Sequence, residues 1–158
     1  MTTSPAIASA ARLEDLAQIQ WAVDDYGYGM DRRDPDQWLR AWHSDAVYDV
    51  NHPKRICTGH DDLLDWVQGV WSGFTLTNHF TPNEQVTFTG PDSATGLGRG
   101  AVMFVMVNGA YVTGAAIFDV KFERRGGAWK LSYRKVDVNH LAEIKGAVVT
   151  LSPGSSAD

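Results

Sequence analysis

One cysteine, Cys57, occurs in 158 residues, so a single chain can form neither an internal disulfide nor a thiolate metal cluster. That usage fits a reducing compartment, and we expect a cytoplasmic protein. No run of 18 apolar residues is present, as a membrane-crossing helix requires. The opening MTTSPAIASAARLEDL lacks the basic stretch and apolar run of a signal peptide. Basic charge is scarce too: 14 Lys and Arg face 19 Asp and Glu, a net charge of −5, and no Lys/Arg run exceeds two residues. A nucleic-acid partner, which calls for a basic face, is not expected. His43, His52, His60 and His140 form no H-x-H or HExxH pattern and no tight carboxylate cluster, so we expect no metal and read these histidines as solvated. GLGRG at 96–100 sits in a strand pattern with no helix after it, which excludes a dinucleotide loop and leaves a bulge or bend in a sheet. No cofactor is expected.

What is present is an ordinary globular composition, 44% apolar and 21% charged. A chain of this size buries roughly 70% of its unfolded surface in one core. Residues 1–144 therefore read as a single domain and 145–158 as a C-terminal extension with a flexible end, SPGSSAD. Leu13, Leu16, Ile19, Val23 and Met30 follow helical spacing to about residue 30. DRRDPDQWLRAWHSDA then reads as a break, an Asp34 cap with Pro35 in the first turn, and a short helix burying Trp38, Leu39 and Trp42. AVYDV is strand-like, and TGHDDLLDWVQGVWSG gives a third helix that stops at Gly73. Period-two patterning follows, with strands near 76–89, 95–108, 111–124 and 129–140. Helices followed by long, mainly antiparallel strands give an α+β plan, a curved sheet wrapped around three helices as a cone with a pocket at its open end.

Asp31 closes the first helix at the edge of its apolar stripe, where a buried carboxylate needs a partner. His79 is the candidate. It shares a strand face with Thr77 and Thr81, and a sheet curling over the first helix brings it to Asp31. A carboxylate fixes the tautomer and orientation of a histidine and leaves its other nitrogen as a general base. The same pair serves equally well as a satisfied interior histidine on a structural aspartate, and spacing does not choose between the two.

The segments YGYGMDRRDPDQWLRAWHSDAVYDV, TGHDDLLDWV, NHFTPNEQVTF and FERRGGAWKLSYRKVD resemble the SnoaL-like branch of the nuclear transport factor 2-like superfamily across residues 10–140. The pattern is most similar to the scytalone dehydratase and hexachlorocyclohexane dehydrochlorinase type. That resemblance implies a cystatin-like cone and a cofactor-free elimination or isomerisation of a hydrophobic cyclic or aromatic molecule, with His79 as base and Asp31 orienting it. It also implies substrate contacts for Arg134, where the dehydrochlorinases have an arginine, and for Tyr26, where they have a lysine. A phenol there suits an oxygen-bearing substrate rather than a leaving chloride. Tyr48 and Trp71 are further candidates for the pocket wall, with Tyr28 and Asn139 behind them. Two alternatives come with the same resemblance: a polyketide-cyclase-like aldol enzyme, and a non-catalytic small subunit or ligand-binding module. Tyr111, Thr113 and Ile117 on the outer sheet face are apolar enough to suggest a homodimer or homotrimer.

Overall fold

The computed structural model describes residues 10–144, so the C-terminal extension expected at 145–158 lies outside the described residues. Helix α1 spans Ala10–Arg32 and buries Ile19, Val23, Tyr26 and Met30 at helical spacing. Leu13, placed by periodicity on that stripe, is exposed. Asp15 takes the inward position of the first turns, because Trp129 Nε1 and Arg124 Nη1 both donate to its Oδ1, each at 2.9 Å.

The end of α1 is fixed by its backbone. Arg33 adopts a left-handed conformation, φ 57°, and its N–H reaches the Met30 carbonyl at 3.4 Å while the Asp34 N–H reaches the Gly29 carbonyl at 3.0 Å. This paired closure satisfies helix-end carbonyls that would otherwise be orphaned. Asp34 then caps α2 (Pro35–Arg40), accepting from the Gln37 N–H at 2.9 Å. Gly29 permits the turn-back, since a Cβ there would lie 2.6 Å from Trp38 Cα. Trp42, expected in the short helix, instead opens strand β1 (Trp42–Asn51), because the Leu131 N–H bonds the Ala41 carbonyl at 2.9 Å and draws the chain into the sheet.

Strand β2 (Lys54–Thr58) was not visible in the sequence pattern. Only Cys57 of its five residues is buried, too little for a period-two signal. Helix α3 (Gly59–Gly73) precedes β3 (Phe74–Phe88), β4 (Ser93–Met106), β5 (Tyr111–Arg125) and β6 (Ala128–Ile144). The strands form one sheet in the order β2-β1-β6-β5-β4-β3, with β1 parallel to β6 and every other pair antiparallel. This mixed, unclosed sheet curves around the helices, giving the expected cone-like α+β fold. Trp38, Trp42, Leu63, Val67, Phe122 and Leu131 fill its core.

The bulge expected at GLGRG falls at that level of the sheet, on the neighbouring strand. Strand β4 itself pairs with β5 in unbroken register from Ser93 to Val105, while β3 carries a register shift between Phe80 and Asn83, whose partners Ala101 and Arg99 flank Gly100. Being the sheet's edge strand, β3 turns backbone groups away from β4, and α1 covers that edge.

Candidate active site

Three contacts clamp the end of α1 to the α3–β3 region: Trp71 Nε1 donates to the Met30 carbonyl at 2.8 Å, Thr77 Oγ1 approaches the same oxygen at 3.5 Å, and the Arg33 guanidinium donates to the Phe74 carbonyl. Trp71 thus spends its polar atom on the fold. Between these clamps the Asp31 carboxylate meets His79 twice. Oδ2 accepts the backbone N–H of His79 at 2.8 Å, and Oδ1 lies 2.6 Å from its ring Nδ1. The edge amide is satisfied and the ring oriented by one side chain. Nε2 of His79 has no hydrogen-bond partner among the described residues.

Asp31 and His79 line a cleft of about 340 Å³ between α1 and β3, with Gly27, Tyr28, Asn78 and Phe80 in its walls. Both side chains are largely buried, His79 10% and Asp31 18% exposed. Asp31 sits in the last turn of α1, where the helix's negative end favours a cation beside it. An imidazolium formed on His79 would be stabilised by both the carboxylate and that field. The arrangement can therefore accept a proton on Nε2 and hold the resulting charge.

Tyr26 lies five residues before Asp31 on α1 and is buried. Its ring packs against the edge of His79 at 6.2 Å between centroids, and its hydroxyl is 3.2 Å from that of Tyr48. Burial, reinforced by Tyr26, pushes the Tyr48 phenol well above its usual value of 10.0, so Tyr48 stays a neutral, proton-bearing group. Tyr28, by contrast, is exposed, and Asn139 lies in the exposed part of β6 beside the register shift between β5 and β6.

Arg134 is wholly buried, with its guanidinium 4.3 Å above the Tyr26 ring and 4.1 Å above that of Phe118. Its Nη1 donates to Glu84 Oε1 at 3.0 Å. Glu84 was missed because regular alternation from His79 would send it to the opposite sheet face; the β3 register shift restores it to the inner one. A carboxylate in the NEQV stretch, in a run otherwise half-buried, was the available signal. His43 is also buried, its Nε2 2.9 Å from the Glu123 carbonyl, which is a structural hydrogen bond rather than solvation. Among the described residues no group of three or more His, Cys, Asp or Glu side chains could hold a metal ion, and no helix is long and apolar enough to cross a membrane.

The model of the SnoaL-like domain matches residues 11–135. Hexachlorocyclohexane dehydrochlorinase 1 of Sphingobium indicum is 29% identical over 139 residues, covering 85% of this chain and 88% of that one. A crystal structure of a type 2 hexachlorocyclohexane dehydrochlorinase superposes with a TM-score of 0.83 at 26% identity, covering 90% of this chain and 97% of the other. The type 3 enzyme of Novosphingobium barchaimii gives 0.81 at 26% identity, with 90% and 97% covered.

Proposed function

The chain belongs to the SnoaL-like domain family, and on that premise we propose that it is a cofactor-independent lyase of the dehydratase type, acting on a hydrophobic cyclic or aromatic hydroxy-carbonyl compound. His79 is the general base and Asp31 the carboxylate that positions it. The single observation that carries this reading is the double contact of Asp31 with the amide and ring nitrogen of His79, which leaves Nε2 as the unengaged atom of the pair.

In the proposed reaction Nε2 takes a proton from the carbon next to the substrate carbonyl. The C–H electron pair forms the new carbon–carbon double bond, and the hydroxyl on the adjacent carbon departs with its own pair. A proton from the Tyr26 hydroxyl, backed by Tyr48, completes the leaving water, and the imidazolium proton then restores the phenol. General-base assistance of this kind contributes about 10² to 10⁴ in rate. Tyr26, standing where the dehydrochlorinases have a lysine, favours a leaving hydroxyl over a leaving chloride. An aldol-type cyclase working through a free aspartate is disfavoured, because both oxygens of Asp31 are engaged by His79.

The test offers the enzyme two kinds of substrate: γ-hexachlorocyclohexane, followed by chloride release, and a panel of cyclic β-hydroxyketones, followed by enone absorbance. We expect enone formation without added metal or cofactor and little chloride. Chloride release with no dehydration would reassign the site to the chemistry of its dehydrochlorinase relatives. Conversion of a ketone to an isomer of unchanged mass would reassign the same base to an isomerase.

A further inference from the structure

The buried Glu84–Arg134 pair leaves polar atoms unused: Arg134 Nε and Nη2 and Glu84 Oε2 have no hydrogen-bond partner among the described residues. Buried polar groups in native proteins are overwhelmingly satisfied, and each exception calls for a reason. Here the spare atoms are two donors and one acceptor on a pair whose charges cancel. The glycines of GLGRG make room for the carboxylate. A Cβ at Gly98 would lie 3.0 Å from Glu84 Cγ and one at Gly96 3.3 Å from Glu84 Oε2, so alternate positions of β4 are vacated where the Glu84 side chain lies.

The pair is linked to His79 through Tyr26 and along β3. Glu84 lines a groove of about 1240 Å³ across β3, β4 and β5, and Phe80 and Pro82 form walls of both this groove and the cleft containing Asp31 and His79. Tyr26 touches both centres, with Arg134 over its ring and His79 against its edge. The β3 register shift lies between His79 and Glu84 and puts both on the inner face.

We propose that Glu84 is a specificity-determining residue: by neutralising Arg134 it turns what would be an anion site into a subsite for a neutral hydroxyl, which accepts from Arg134 and donates to Glu84. An unpaired buried arginine would attract halide or carboxylate. The paired one offers no net charge to an anion and sets a carboxylate oxygen against it, whereas a hydroxyl can use both kinds of spare atom. A site built to hydrogen-bond a hydroxyl rejects analogues lacking it far more strongly than an apolar pocket separates shapes. This inference rests on the lyase reading only for what the bound hydroxyl is used for; the binding itself stands apart from catalysis.

The test titrates the full-length protein separately with phenol and with sodium bromide, following the Arg134 Nε–H resonance by NMR. In wild type, phenol should shift that resonance and bromide should not; in Glu84→Gln, bromide should shift it, with at least tenfold tighter apparent binding than in wild type. Bromide moving the wild-type resonance as readily as phenol, or neither probe moving it, overturns the proposal, and that comparison needs no variant to fold. Phenol binding in a protein that dehydrates none of the hydroxyketones would leave the subsite standing and remove the lyase reading.

Discussion

Asp31 holds His79 by two nitrogens at once, the backbone amide at 2.8 Å and ring Nδ1 at 2.6 Å. An ionised carboxylate only accepts, so both nitrogens must carry hydrogen and the lone pair of the neutral ring falls on Nε2. Nitrogen-15 NMR of the free protein, at a pH where the ring is neutral, should therefore find the Nδ1–H tautomer. An Nε2–H tautomer would mean that Asp31 is the protonated partner.

A base must be neutral to accept a proton. We expect kcat/KM for elimination to be low in acid and to rise to a plateau at higher pH. In Asp31→Asn the plateau should fall, because the imidazolium formed in the transition state has lost its counter-charge. A wild-type profile declining from acid to neutral pH would mean that His79 works as an acid.

Tyr48 links the site to stability at high pH. Burial holds its phenol well above 10.0 in the folded chain, whereas the unfolded chain ionises near that ordinary value and so binds fewer protons above it. Its contribution is thus fully present below about pH 10 and is lost as pH climbs toward the folded value. Chemical denaturation between pH 9 and 11 should show stability falling more steeply in wild type than in Tyr48→Phe. Equal slopes would contradict this account of Tyr48.

Gly29 sets the position of Asp31 through the α1–α2 turn. Gly29→Ala puts a Cβ 2.6 Å from Trp38 Cα, a collision with backbone that no rotamer relieves. We expect a loss of about 1–3 kcal/mol in urea unfolding, the usual cost of overpacking. A change within about 0.5 kcal/mol, typical of surface substitutions, would show the two helices free to separate.

The elements were legible where local signals are strong. Helical spacing marked α1 and α3, the Asp34–Pro35 cap marked α2, and turn residues marked the long strands. The resemblance, together with strand alternation, picked out Asp31 and His79. What stayed hidden depends on tertiary context. Trp42 reads as helical until the Ala41 carbonyl is drawn toward Leu131, and β2 carries one buried residue. Leu13 yields its place to Asp15 because Trp129 and Arg124, far along the chain, supply the donors. Glu84 is the most instructive miss, since a register shift changes which residues share a face without leaving a mark in composition. Arg134 was singled out, but not its burial between Tyr26 and Phe118.

The most direct measurement is turnover by His79→Ala, Asp31→Asn and the double variant on the hydroxyketone that wild type dehydrates best, with folding checked by thermal melts. If His79 is the base and Asp31 its positioning carboxylate, each single variant loses about 10² to 10⁴ in kcat and the double is little worse than either, as for residues acting as one unit. A folded His79→Ala protein that keeps wild-type turnover would contradict the account and leave the pair as a structural hydrogen bond between helix and sheet edge.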